Sequence, residues 1–344
     1  MSAQGATPTL SVTITNYNYG RFLRRAIDSV LKQTFTDFEL IIADNASTDD
    51  SMEVIQEYAH RDSRIRVITQ TENKGLGNNL RVAAEAARGI YCVHVDADDW
   101  IVAPDAFARQ IEMIESDPEI SFVWSPVVHH YQSGEQTVTR YYEGDTVYRG
   151  EAAIEDVLKF KIWHTGPLFR LSAFRDFGGY DLTFKSCLDL RLFSELCAQG
   201  KVGYVNEPLY ARYDHDSSVS VTLKSAVHCE EIIRAANKVF DSAFAARIPN
   251  VREMRRRILC EYYLTTSTLY LFGCQYRDAG KAFLAGAKIA PTNILLHRRT
   301  AYLFLRLVLG ANLFERLQSL TRSGQHKHAL DPQAPDNAVA NSLS

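Results

Sequence analysis

In the first 96 residues, short apolar runs alternate with segments of helical periodicity, and three of these runs end in a polar side chain at Asn16, Asp44 and Asp96. Leu10 to Thr15 reads as a buried strand, followed by the turn Asn16-Tyr17-Asn18-Tyr19-Gly20 and a helix with Phe22, Ala26, Ile27, Val30 and Leu31 on one face. Phe38 to Ala43 is a second apolar strand. Ser47 and Asp50 have the spacing of a capping box opening the next helix, whose apolar face is Met52, Ile55, Tyr58 and Ala59. Ile65, Val67 and Ile68 mark a third strand. The turn Asn73-Lys74-Gly75-Leu76-Gly77 opens a helix ending near Gly89, and Ile90 to Val95 is the fourth strand. Such alternation predicts an α/β fold with a mainly parallel, doubly wound sheet. In such sheets ligands bind at the carboxyl ends of the strands, so Asn16, Asp44 and Asp96 are expected to share one functional edge.

The fourth strand runs into Asp96-Ala97-Asp98-Asp99. Closely spaced carboxylates suit a hard divalent cation, and two or three of them leave coordination positions open for phosphate oxygens. A solvated turn that caps a helix would look the same in isolation, and aspartate also commonly caps helices. His94 alternates onto the same strand face as Asp96 and reads as structural. Trp100 reads as a core residue.

Ile120 to Val128 reads as one strand, Glu151 to Phe160 as a helix, Phe177 to Asp181 as a turn, Leu188 to Cys197 as a helix and Val202 to Asn206 as a short strand. From Ser225 to Thr321 the pattern is helical. Tyr276 to Pro291 resembles half a tetratricopeptide repeat, and a single helical hairpin is the plainer reading. Arg252, Arg255, Arg256 and Arg257 form a basic cluster, and His297-Arg298-Arg299 flanks the apolar stretch Ala301 to Leu309. A basic flank beside an apolar helix suits either an anionic membrane surface or an ordinary core helix. Residues 323–344 are polar and predict a disordered tail.

The bulk numbers narrow the partners. A chain of 344 residues, 46% of them hydrophobic, holds one large domain or two ordinary ones. A net charge of −3 gives no reason to expect nucleic acid. The six cysteines lack close pairs, which predicts reduced thiols in the cytoplasm. Met1 to Thr9 has no apolar leader core, and no apolar run reaches the roughly 18 residues of a spanning helix.

Four ordered segments resemble glycosyltransferase family 2, with its Rossmann-like GT-A fold. They are SVTITNYNYGRFLRRAIDSVLKQTFTDFELIIADNASTDDS, NKGLGNNLRVAAEAARGIYCVHVDADD, FGGYDLTFKSCLDLRLFSELCAQG and YARYDHDSSVS, within residues 8–222. The resemblance implies a GT-A domain at 8–222 with a doubly wound mixed sheet, and a helical C-terminal extension at 223–322. It implies inverting transfer from a nucleotide-sugar donor to a hydroxyl of a saccharide or lipid-linked saccharide, with Mg²⁺ or Mn²⁺. Cell-surface polysaccharide or glycolipid synthesis is the implied setting, in the cytoplasm or peripherally at the inner face of the membrane. Thr15, Tyr17, Asp44 and Asp96 then fall on the donor nucleotide site. Asp98, Asp99 and His215 fall on the metal site, within and after the DXD segment. Asp189 falls on the general base. His164, ahead of the third segment, is a candidate for contact with the acceptor or diphosphate, with a structural role as the alternative.

The sequence departs from the family pattern at Thr15, where a proline is usual. It departs again at Gly77-Asn78-Asn79, where an arginine is usual. Lys74 or Arg81 is then the candidate for the charge facing the diphosphate. Leu188-Asp189 replaces an acidic pair, and one carboxylate suffices for a base. A sugar nucleotidyltransferase or a dinucleotide-dependent dehydrogenase would need a Gly-rich turn after the first strand, where Asn16 to Tyr19 stands. A non-catalytic scaffold that binds partners through the C-terminal helices is the alternative from another class.

Overall fold

The computed structural model describes residues 7–216, 226–272 and 275–291. They form two compact units. One holds the described residues up to Val157 and from Lys161 to Asp216. The other holds Leu158–Phe160 and the described residues from Ala226 onward. The expected tail at 323–344, the basic flank at His297-Arg298-Arg299, the stretch Ala301 to Leu309 and the end of the YARYDHDSSVS segment lie outside the described residues.

The first unit is built on an eight-stranded sheet of order β3-β2-β1-β4-β10-β6-β11-β9. Its parallel half is β1 (Leu10–Asn16), β2 (Phe38–Asp44), β3 (Ile65–Thr69) and β4 (Tyr91–Asp96). Helices α1 (Gly20–Leu31), α2 (Ser51–Arg61) and α3 (Leu76–Glu85) connect them. Every residue of β1 and β2 is buried, which explains their near-continuous apolar runs. After β3 the chain crosses back past β1 to form β4, so the order reverses between β1 and β4. That reversal opens a crevice at the carboxyl edge. The register there sets Asn16 opposite Asp44 and Thr15 opposite Asp96.

The expected strand from Ile120 to Val128 is two strands in different sheets. β6 (Ile120–Trp124) joins the large sheet, whereas β7 (Val127–Tyr131) joins a second sheet of order β5-β12-β7-β8. The break falls at Ser125-Pro126, because proline has no N–H for a central ladder. In the second sheet β5 (Trp100–Ile101) pairs with β12 (Tyr210–Asp214), which pairs with β7 and, beyond it, β8 (Gln136–Val138) follows. β5 directly follows Asp99 and β12 directly precedes His215, so this sheet brings two distant segments to one place. The large sheet is completed by β9 (Thr146–Arg149), β10 (Leu168–Arg170) and β11 (Lys201–Tyr204). The helices of this half are α4 (Ala106–Glu115), α5 (Gly150–Leu158), α6 (Leu171–Asp176) and α7 (Leu188–Gln199).

The expected capping box does not form. Helix α2 starts at Ser51 behind Asp50, without a side-chain cap, because the Ser47 oxygen already accepts the Asn18 N–H at 2.9 Å and Asn16 Nδ2 at 3.0 Å, while its proton goes to Asp44 at 2.6 Å. In the second unit, helices span Ala226–Phe240, Val251–Phe272 and Tyr276–Ile289. The last two enclose a small core of Cys260, Leu264, Leu271, Ala279 and Ala290. Arg255 of the basic cluster is tied to Asp241 and Asn237, and Arg256 donates to the Ile289 carbonyl. Among the described residues no helix is long and apolar enough to cross a membrane.

Candidate active site at the carboxyl edge of the sheet

The end of β4 turns sharply, with the Asp99 N–H donating to the Asp96 carbonyl at 3.0 Å. This turn sends its three carboxylates in different directions. Asp98 meets His215, with Oδ2 and Nε2 3.0 Å apart. His215 is buried, its ring 4.8 Å from Phe22 and 5.3 Å from Tyr213 between centroids. Arg25 lies over Trp100 and donates to the Asp98 carbonyl at 2.9 Å. Asp99 turns inward and accepts the Tyr213 N–H at 3.0 Å, anchoring β12. Burial, reinforced by the charges of Asp98 and Asp96, pushes the Asp99 carboxyl well above the usual carboxylate range. Burial and the same acidic neighbours also raise the Tyr19 phenol.

Asp96 enters a different network. Its Oδ1 is 3.0 Å from His94 Nε2 and 3.6 Å from His164 Nδ1. Its Oδ2 accepts the Thr165 hydroxyl at 2.8 Å, and its N–H donates to the same hydroxyl at 3.0 Å. Burial opposes ionisation of Asp96, but the hydrogen bonds from His164 and His94 outweigh it and hold the carboxyl well below its ordinary range. Burial and the His164 charge lower His94. Burial also opposes the charge on His164, but its bond to Asp96 and the nearby Asp189 raise it. The segment carrying His164 is fastened to β4 by the Gly166 N–H on the His94 carbonyl at 3.0 Å. Gly166 has φ +107, and a Cβ there would sit 2.6 Å from the Tyr210 ring, so this turn requires glycine.

Asp189 lies in the first turn of α7, half-buried, with Oδ1 accepting its neighbour's Leu190 N–H at 2.8 Å. Its charge acts on His164 and Tyr180, whose phenol is raised first by burial. A Cβ on Gly77 would meet Leu188 at 3.2 Å and Leu182 at 3.3 Å, so the start of α3 abuts the start of α7. Asp189 therefore shares the edge that carries Asp96 and Asp98.

Along the β1–β2 side of the edge, Tyr17 is 41% exposed beyond the end of β1, and Thr15 is buried beside Asp96. Asp44 is fully buried. Its Oδ1 accepts Asn16 Nδ2 at 2.8 Å and the Ser47 hydroxyl, and its Oδ2 accepts the Ser47 N–H at 2.9 Å. Lys74 pairs with Glu72 at 3.5 Å, and Arg81 pairs with Glu85 and Asn78 along α3. Asn79, in the segment where the family carries arginine, is buried and donates to the carbonyls of Ala43 and Asn16, at 2.9 and 3.3 Å. It staples the strand ends.

Residues 11–178 match the family model of Glycosyl transferase family 2. This part of the chain belongs to that family. The chondroitin synthase of Escherichia coli is 27% identical over 218 residues, 62% of this chain and 30% of that protein. An uncharacterized glycosyltransferase, EpsJ of Bacillus subtilis, is 40% identical over 110 residues, 32% of this chain and 31% of that one. The chain spans less than a third of the length of the chondroitin synthases it matches. The family 2 domain has the GT-A fold. S. aureus TarS in complex with UDP-GlcNAc aligns with a TM-score of 0.60 at 14% identity, over 82% of this chain and 92% of that one. The mannosyltransferase PcManGT from Pyrobaculum calidifontis, in complex with GDP-Man and Mn²⁺, aligns with a TM-score of 0.57 at 16% identity, over 92% of this chain and 85% of that one.

His94, which reads as structural in the sequence, faces Asp96 in the fold, and Thr165 and Arg25 join the site without a sequence motif. The signal for His94 was its alternation onto the face of Asp96. Nothing local pointed to Thr165 or Arg25, which reach the site only through tertiary contact.

Proposed function

We propose that the chain is an inverting, metal-dependent glycosyltransferase. It moves a sugar from a nucleoside-diphosphate donor to a hydroxyl of a saccharide or lipid-linked saccharide, in cell-surface polysaccharide or glycolipid synthesis at the cytoplasmic face of the membrane. The observation that carries the reading is the pairing of Asp98 with His215 on the same sheet edge as Asp189. The names of the relatives support polysaccharide synthesis, and PcManGT with GDP-Man and Mn²⁺ supports a metal-bound donor.

The Asp98 carboxylate suits Mn²⁺ or Mg²⁺ and lies 3.0 Å from the His215 ring, so Asp98 would hold the ion with His215 completing the site and Asp99 bracing the strand behind them. Bound there, the ion supplies Lewis-acid neutralisation of the diphosphate leaving group. Tyr17 offers an exposed ring to the base. Thr15 and Lys74 line the donor side, Asp44 fixes the turn on which the base rests, and Asp96 faces the ribose. Asp189 takes the proton of the acceptor hydroxyl as that oxygen attacks the anomeric carbon from the side opposite the diphosphate, which inverts the centre. His164, raised toward its charged form, sits between Asp96 and Tyr180, where the diphosphate or acceptor passes. Residues 8–222 form the catalytic domain in this reading, and 223–322 form a helical extension.

Calorimetric titration with a panel of nucleoside diphosphates, with and without Mn²⁺, tests the proposal. Mn²⁺-dependent binding of one diphosphate is expected. A folded protein that binds none of them would refute it.

A further inference from the structure

His94, Asp96 and His164 offer three ligand atoms that all lie within 4.8 Å of one another. We propose that they bind a borderline first-row divalent ion of the Zn²⁺ or Co²⁺ class, at a site separate from the Asp98–His215 pair. The donor atoms are His94 Nε2, Asp96 Oδ1 and His164 Nδ1, with the carboxylate oxygen 3.0 Å from the first ring and 3.6 Å from the second. Bonds of about 2.0–2.2 Å at tetrahedral angles place ligand atoms ~3.3 Å apart, between those two distances. Two imidazoles and one carboxylate favour such an ion over Mg²⁺, which prefers oxygen.

The surrounding contacts are those a metal-binding histidine needs. Each ring must present one lone pair inward and keep its N–H on the other nitrogen, held by an acceptor. His94 Nδ1 is 3.0 Å from the Thr13 hydroxyl, which has the Val93 carbonyl as its own acceptor at 3.4 Å. His164 Nε2 is 3.1 Å from the Tyr180 hydroxyl. Both remote nitrogens are thus engaged, and both near nitrogens converge on one oxygen. Thr165 holds the other carboxylate oxygen of Asp96 and so fixes the direction of Oδ1. An ion here would clasp the end of β4 to the segment that leads into β10. The site does not depend on the glycosyl-transfer reading, although Asp96 belongs to both.

Co²⁺ added to the full chain after chelator treatment is the probe. One equivalent is expected to give the visible absorption of a low-coordinate Co²⁺ complex. The proton spectrum should then carry two exchangeable, hyperfine-shifted imidazole N–H signals, one per ring. The Asp98–His215 pair could give only one. His94→Gln and His164→Gln should each weaken Co²⁺ binding by more than about 10-fold, since even outer partners of a ligand are worth ~10–100-fold. His215→Ala should leave both signals in place. A folded wild type that takes up no Co²⁺, or a single N–H signal that vanishes in His215→Ala, overturns the site. The count of signals in the wild type decides the matter even where a variant does not fold. Loss of diphosphate binding and loss of the cobalt signals are independent readouts, so either proposal can fail alone.

Discussion

Glu39 sits within β2, far along the strand from its carboxyl end, and its carboxylate is buried beneath four donors. Oε1 accepts the Ser11 hydroxyl and the Arg88 N–H, both at 2.8 Å, and Oε2 accepts Arg66 at 2.6 Å and Arg88 Nε at 3.1 Å. Glu39→Gln keeps the shape but turns an NH₂ toward two guanidinium groups. Two charge-assisted bonds are lost, each worth about 1.5–3 kcal/mol. Arg66 and Arg88 are 37% and 57% exposed, so solvent screens part of that sum and ~2–4 kcal/mol is expected. With a urea slope of roughly 1–3 kcal/mol per molar, the midpoint should fall by on the order of 1–2 M. Burial opposes ionisation of Glu39, but the bonds from Arg66, Ser11 and Arg88 win and lower its folded value. A depressed carboxyl stabilises the fold above its unfolded value of about 4.3, and that stability fades as pH falls through the folded value. The gap between wild type and Glu39→Gln should therefore be full at neutral pH and narrow below about pH 4, while diphosphate binding at the opposite strand ends stays unchanged. An unchanged midpoint at pH 7, or a gap that widens on acidification, would refute this account of the β1–β2 edge.

Asp189→Asn is expected to cut transfer by ~10²–10⁴-fold while leaving diphosphate affinity intact, measured by steady-state rates beside calorimetry; near-normal rates would remove Asp189 as the base. Asp98→Ala should abolish the Mn²⁺ dependence of diphosphate binding, checked by titration with and without the metal. Gly150→Ala places a Cβ 1.8 Å from the Cys197 carbonyl oxygen and should destabilise by at least about 2–3 kcal/mol in urea. Gly144→Ala, with open space around it, should stay within roughly 0.5 kcal/mol of wild type.

The first four strands were legible because β1, β2 and β4 are sandwiched between layers, so their sequences are apolar on both faces. Strands β8 and β9 and much of β7 are partly exposed and carry no such run, so periodicity passes over them. The Ile120 to Val128 stretch looked uniform although Pro126 divides it between two sheets. The spacing of Ser47 and Asp50 suggests a cap, but helix N–H groups compete with every other donor near the Ser47 oxygen, and the Asn18 N–H and Asn16 Nδ2 hold it.

The sequence by itself determined that Asn16, Asp44 and Asp96 end strands and share one edge of the sheet. Strand termini follow from where an apolar run stops, and parallel connections then force those ends to one edge. It also determined the order of the family 2 segments. Only the tertiary structure decided what each carboxylate faces. The pairing of β5 with β12 gives Asp98 to His215 and Asp99 to the Tyr213 N–H. The Gly166 turn gives Asp96 to His164, which joins His94. Three acidic side chains within four residues are chemically alike in sequence. Their distant partners come from segments about 70 to 115 residues away, and only long-range structure assigns them: the register of β12 for Asp98 and Asp99, the Gly166 turn for Asp96.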